Sequence, residues 1–251
     1  MTKFAEICSA VRTVPQTRKS RKQPSNGALP ELPSGAATAS VSGSGTVEIK
    51  NADAKFDEFT LDIGQKYTQN VYIHSKYKSE ERVLLARENG LRANIFRIGN
   101  LTWRISDGKF QINADDNGFL ERLKGILKVR LYSNEIADYP IDFTPVDECA
   151  KAYVLLALNH HVNNIYNIEQ LSKKFMLHAK RVPRELFEKS LREQIHDKSV
   201  MVLSFYNAIA SSSKNIPMSN EYTNAELNKL GFKWSKIGLS YLRFVKGFIK
   251  L

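Results

Sequence analysis

Asn70-Val71-Tyr72-Ile73-His74-Ser75-Lys76 opens a run that reaches Asn89-Gly90 and is followed by Arg97-Ile98-Gly99-Asn100-Leu101-Thr102. Tyr72 and Lys76 are four residues apart, a spacing that places both side chains on one face of a helix. Gln69 and Asn70 read as the helix start. Ser79-Glu80-Glu81-Arg82-Val83-Leu84-Leu85-Ala86 continues it with an apolar stripe. Asn89-Gly90 stops it, because both residues tolerate the left-handed backbone that ends helices. Leu91 to Ile98 then reads as a short strand, with Ile95, Phe96 and Ile98 as its apolar content. The strand delivers Gly99 and Asn100 to a loop at its carboxyl end, where ligands sit in open α/β sheets.

The chemistry of the Tyr72–Lys76 pair follows from charge. A tyrosine hydroxyl with a pKa of about 10 exchanges protons poorly at neutral pH. An ammonium one helical turn away stabilises the phenolate and lowers that value. The pair is then suited to protonating a carbonyl oxygen while a reduced nicotinamide gives hydride to the carbon. The spacing alone carries little, since a chain with ten tyrosines and abundant lysine produces about one such pair by chance.

The surroundings of the pair add more. The segment Asn70 to Lys76 with Glu80, and Arg97-Ile98-Gly99-Asn100-Leu101-Thr102 with Arg104, resemble the extended short-chain dehydrogenase/reductases. Within that group the resemblance is to the thioester reductase domains of nonribosomal peptide synthetases and carboxylic acid reductases. Asp107-Gly108, Gln111-Ile112-Asn113, Asn117 with Phe119, and Asp142-Phe143-Thr144-Pro145-Val146-Asp147 fit the same pattern in the same order. So do Ser219-Asn220, Thr223, Leu227, Leu230-Gly231-Phe232 and Trp234; the likeness runs from about Thr38 to Leu251. It implies an α/β fold, an incomplete Rossmann-type parallel sheet with a mostly helical C-terminal substrate subdomain. It implies Tyr72, Lys76 and Thr38 as catalytic residues, with Gly99, Asn100 and Leu101 bordering a nicotinamide. Thr38 falls on the family's strand-end hydroxyl in Ala37-Thr38-Ala39-Ser40-Val41-Ser42-Gly43, with Ser40 and Ser42 as alternatives; without the resemblance this run reads as a plain loop. The cofactor implied is NADPH, and the partner is a phosphopantetheine carrier protein bearing an acyl or peptidyl thioester. Trp103 stands where the family usually has glycine, so it either crowds the pocket or packs outward.

Composition bounds these expectations. The chain has 251 residues, room for one large domain or two small ones. Its longest apolar run, Ala152 to Leu158, is far short of the roughly 20 residues of a membrane span. Cys8 and Cys149 lie far apart, which favours a reducing compartment over a disulfide framework, and with no secretory h-region a cytoplasmic location is the default. The net charge of +11 suits an acidic partner or cofactor, and also nucleic acid, for which Arg18 to Lys22 is the natural patch. The five histidines have no acidic or cysteine partners at ligand spacing, so no metal site is expected.

The organisation expected is a basic, unpacked segment over 1–37, the reductase core over 38–168, and a helical subdomain over 169–251. Thr46 to Gln69 reads as a surface loop leading to the Tyr72 helix. Phe119 to Val129, Arg184 to Ile195 and Val200 to Ala210 read as amphipathic helices, and Tyr241 to Phe248 as a basic one. Ile141 to Phe143 and Asn163 to Ile168 read as strands. Thr144-Pro145-Val146-Asp147 and Thr223-Asn224-Ala225-Glu226 read as helix starts, with Thr144 and Thr223 as caps. A Rossmann reductase also needs a Gly-x-Gly-x-x-Gly turn after its first strand to meet the pyrophosphate. The sequence holds no such turn; Gly43-Ser44-Gly45 lacks the third glycine. The expectation is therefore reductive release of a carrier-bound thioester by a chain lacking the Gly-rich half. Its alternative is a non-catalytic remnant or interaction module of the same ancestry.

Overall fold

The computed structural model describes residues 34–44, 47–51, 53, 55–134, 141–159, 161–172, 179–210, 216–238, 241, 243 and 244. Cys8 and Arg18 to Lys22 lie outside them, as does most of Tyr241 to Phe248. The strands are β1 (Ser34–Thr38), β2 (Asn94–Ile98), β3 (Leu101–Thr102), β4 (Leu131–Ser133), β5 (Ile141–Asp142), β6 (Thr144–Pro145), β7 (Ile165–Ile168), β8 (Leu171–Ser172) and β9 (Lys180–Val182). The helices are α1 (Val71–Glu88), α2 (Gly118–Val129), α3 (Val146–Leu158), α4 (Arg184–Glu193), α5 (Lys198–Ala210) and α6 (Glu221–Lys229).

A parallel sheet in the order β1-β2-β7 forms the centre, with Thr38 opposite Ile98 and Ile98 opposite Ile168. Successive side chains of a strand point to opposite faces. Phe96 packs with Cys149, Ala152 and Leu156 of α3, while its neighbour Arg97 meets Glu80 of α1. The sheet therefore carries α1 on one face and α3 on the other, a Rossmann-like α/β arrangement. A second apolar cluster joins α2 to α4 and α5 through Ile126, Val129, Phe187, Leu191, Val200 and Leu203. Helix α6 returns to the sheet, where the Thr223 hydroxyl accepts from the Asn167 N–H at 2.8 Å.

Helix α1 starts where Asn70 caps it, its side-chain oxygen accepting from the N–H groups of Tyr72 and Ile73 at 3.0 and 3.2 Å. It ends at Asn89 and Gly90, whose φ of +88° reverses the chain toward β2. Its inward face buries Ile73, Tyr77 and Glu80. Glu80 is wholly enclosed with Arg97, whose Nε donates to Glu80 Oε1 at 3.0 Å. The same guanidinium donates from Nη1 to the Asp57 carbonyl at 2.7 Å and from Nη2 to the Thr60 carbonyl at 2.8 Å. It lies 4.4 Å from the centroid of the Phe56 ring.

Several sequence expectations need correction. Ser34 to Ala37, placed in the unpacked N-terminal segment, are a strand of the central sheet. The helix after Asp142 begins at Val146 with Pro145 as a cap that offers no side-chain bond. Thr144 belongs to β6, paired with Leu101, and its hydroxyl donates to Asp142 instead. Asp147 stays in the first turn of that helix but reaches outward, accepting from the N–H groups of Ile105 and Ser106 at 3.0 and 3.2 Å. Thr223 lies inside α6 rather than at its cap, because Glu58 Oε1 accepts from its hydroxyl at 2.6 Å.

Removing one partner of a buried ion pair strands the other charge. Glu80→Ala is expected to lower the unfolding free energy by about 3–5 kcal/mol in urea titration. Lys78→Ala, which breaks the exposed Lys78–Glu81 pair, is expected to leave the midpoint unchanged.

Candidate functional site

The site lies along the carboxyl edge of the central sheet. Thr38 is the last residue of β1, and in the adjacent strand Gly99 follows its partner Ile98. Tyr77, in the second turn of α1, packs with Val41 just beyond Thr38, so the start of α1 stands over this edge. Tyr72 lies in the first turn and is 52% exposed. The Lys76 Nζ is 5.5 Å from the centroid of the Tyr72 ring, within cation–π range, so the two side chains share a helical face. Leu101, half-buried, starts β3 and packs toward the α3 cluster. Trp103, whose direction was open, is fully buried with Leu120, Leu123, Phe143 and Tyr241, away from solvent.

The Gly99–Asn100 turn is held by a polar network. The Gly99 N–H donates to the Ile168 carbonyl at 3.1 Å, and the Asn100 carbonyl accepts from the Thr144 N–H at 3.1 Å. The Asn100 N–H donates to Asp142 Oδ2, and the Thr144 hydroxyl donates to Asp142 Oδ1 at 2.6 Å. The Thr144 hydroxyl in turn accepts from the Gln170 N–H at 2.9 Å. Any Cβ on Gly99 would overlap the Asp142 carboxylate, so this position requires glycine by close approach rather than by backbone angle.

Burial pushes the Asp142 carboxyl up to about 7, against the bonds from Thr144 and Asn100 that favour its charge. Burial, followed by repulsion from Asp142 and Glu58, pushes Glu169 up to about 8, with Arg97 pulling the other way. Cys149 on α3 is pushed up to about 12 by burial and by Asp142. The sequence marked Asp142 only through the resemblance, and nothing in it marked Glu169. Among the described residues no cluster of three or more His, Cys, Asp or Glu is placed to hold a metal ion. No described helix is long and apolar enough to cross a membrane.

A parallel sheet flanked by helices is the Rossmann-like α/β architecture, and here Tyr72 and Lys76 lie on one helical face at its carboxyl edge. The family described as Male sterility protein, an NAD-binding family, matches residues 8–153, and the chain belongs to it. No curated protein is matched. Among solved structures the chain is similar to the reductase domain of the aureusimine biosynthetic cluster, at 27% identity and a TM-score of 0.73 over 86% of this chain. It is similar to a thiolation-reductase di-domain from an archaeal nonribosomal peptide synthetase, at 26% identity and a TM-score of 0.68 over 86% of this chain. The terminal reductase domain of the myxalamid pathway, 19% identical with a TM-score of 0.68 over 86% of this chain, shares the fold. The chain spans 60%, 48% and 57% of these three chains respectively.

Two outcomes follow from this geometry. Gly99→Ala is expected to destabilise the chain by about 1–3 kcal/mol in urea titration, because the methyl group displaces the Asp142 carboxylate. Folding also lifts Asp142 from 3.8 and Glu169 from 4.5 to about 7 and about 8, so the folded chain binds protons that the unfolded chain has released. Their contribution to stability is fully present below the unfolded values and is lost as pH rises through the folded ones. The urea midpoint is expected to fall between pH 5 and 8.5, on the order of a few tenths of a molar at least.

Proposed function

We propose that the chain serves an NAD(P)H-dependent reductase that releases a carrier-bound acyl or peptidyl thioester as an aldehyde or alcohol. The observation carrying this reading is the Tyr72 phenol with the Lys76 ammonium beside it, in the first turn of the helix that stands over the strand edge. The nicotinamide end of the site fits such a cofactor: the phenol is open to a ligand, and Gly99 and Asn100 form a fixed turn at the end of β2. A reduced nicotinamide bound there supplies hydride to the thioester carbon. Tyr72 gives its proton to the carbonyl oxygen, and Lys76 lowers the cost of the phenolate and holds the nicotinamide ribose. Thr38 is assigned the contact that steadies the carbonyl oxygen, and Leu101 borders the ring beside Gly99 and Asn100. The carrier thiol leaves as the aldehyde forms, and a second hydride with a second proton gives the alcohol. A basic chain of net charge +11 suits an acidic carrier and a phosphorylated cofactor, and NADPH is the form assigned.

One observation favours a second reading, an interaction module without chemistry: the sequence contains no Gly-x-Gly-x-x-Gly turn. NADPH oxidation dependent on an acyl thioester separates the two. The first reading expects turnover that falls by about 10²–10⁴ in Tyr72→Phe, with unchanged circular dichroism because the hydroxyl is solvent-facing. A purified chain that does not quench or shift NADPH fluorescence sinks the first reading and leaves the second.

A further inference from the structure

Glu169 follows β7 directly and Gly99 follows β2, so both stand at the same strand edge. Glu169 is 1% exposed, and among the described residues neither of its carboxyl oxygens has a hydrogen-bond partner. Its main chain is anchored, the carbonyl accepting from Asn220 Nδ2 at 2.7 Å. Asp142 is its opposite, with one carboxyl oxygen on the Asn100 N–H and the other on the Thr144 hydroxyl. Two carboxyls at one strand edge resist double ionisation, since repulsion adds to the desolvation of the buried Glu169. The remaining charge settles where donors already point, and the proton settles where they do not.

We propose that Asp142 and Glu169 hold one proton between them, on Glu169, and that this leaves Asp142 as the ionised positioning residue that sets the Gly99–Asn100 turn. The proposal rests on the reductase reading only in taking this turn as the border of the nicotinamide.

The charged neighbours leave the pair without a cation of its own. Glu58, from the segment before α1, is acidic and accepts from the Thr223 N–H at 2.9 Å and hydroxyl at 2.6 Å. Arg97 on β2 is the positive group within reach, and it is committed to Glu80 of α1. On α3 the Cys149 thiol faces Asp142 and stays protonated. The hydrogen bonds set the order of the two acidities: Asp142, which meets donors, ionises before Glu169, which meets none. Below the first, Asp142 loses the charge that holds Asn100 and Thr144. Above the second, Glu169 gains a charge that repels it. The turn is tightest between them.

The test is a pH titration of the Asn100 amide by ¹H–¹⁵N NMR on the full chain, from about pH 5 to about 9.5. The amide is expected to move downfield as Asp142 ionises and to move again as Glu169 does. Glu169→Gln is expected to remove the second step and to keep the first, because Glu169 is still uncharged while Asp142 ionises. Asp142→Asn is expected to remove the first step; where that variant does not fold, the Glu169→Gln titration decides alone. An Asn100 amide that does not titrate, or a second step that survives in Glu169→Gln, overturns the proposal. NADPH affinity followed by fluorescence over the same range is expected to weaken several-fold above pH 8.5 in the wild-type chain and not in Glu169→Gln, starting about half a unit above the second ionisation. Affinity present but flat with pH also overturns the proposal. Both NMR steps without any NADPH affinity sink the reductase reading and leave the proton pair standing.

Discussion

The Arg97 guanidinium is the constraint around which this sheet is assembled. A central strand of a parallel sheet normally buries apolar side chains on both faces, and β2 meets that rule on one face with Phe96. On the other it carries a full charge, with no exposure to solvent. A charge there is tolerable only when its donors are met, and Arg97 meets them from three places at once: the Glu80 carboxylate, the Asp57 carbonyl and the Thr60 carbonyl. Satisfying one side chain thus fixes the rotation of α1, the path of the segment before it and the position of β2. Tyr72 and Lys76 inherit their placement from the same contact, since they ride on the helix that Glu80 holds down.

The strand edge next to this pair has the opposite character. Glu169 is a buried acid and Asp142 a half-enclosed one, and their proton affinities rise because water is withdrawn and the cation in reach, Arg97, is already paired with Glu80. Placing them beside Gly99 costs stability that a leucine or threonine would not cost. What it supplies is a fastened turn: a carboxylate resting on the glycine Cα, bonded by the Asn100 N–H from the turn itself and by the Thr144 hydroxyl from the neighbouring strand.

These features were unequally legible in the sequence. The α1 helix announced itself through its Asn70 cap and Asn89-Gly90 stop, which act locally and are therefore visible locally. The Leu91 to Ile98 strand was read from its apolar content, and began three residues later than expected, at Asn94. Thr144 and Thr223 misled for one reason. A threonine ahead of an acidic residue at helix spacing mimics a cap, and in both cases another carboxylate took the hydroxyl instead, the nearby Asp142 for Thr144 and the distant Glu58 for Thr223. Glu169 left no trace, because an acid becomes unusual only when burial removes its solvent, and burial of a single position after a strand has no periodic signature. The Tyr72–Lys76 pair was readable as a spacing; its position over the strand edge is a property of the β1–α1–β2 crossover.

The exposure of Tyr72 carries a last implication for the chemistry. A phenol in contact with water exchanges its proton with solvent, and the field of a neighbouring ammonium is weakened by the surrounding dielectric. On the proposed reading the pair would act as an acid only when something covers it and excludes water. Val71, 86% exposed on the same turn, marks an apolar surface beside the phenol that such a cover would bury. On that reading, ligand binding and activation of the tyrosine would be one event: an occupant of the strand edge would remove the water that otherwise screens the lysine, so that competence would arise with the complex rather than with the fold.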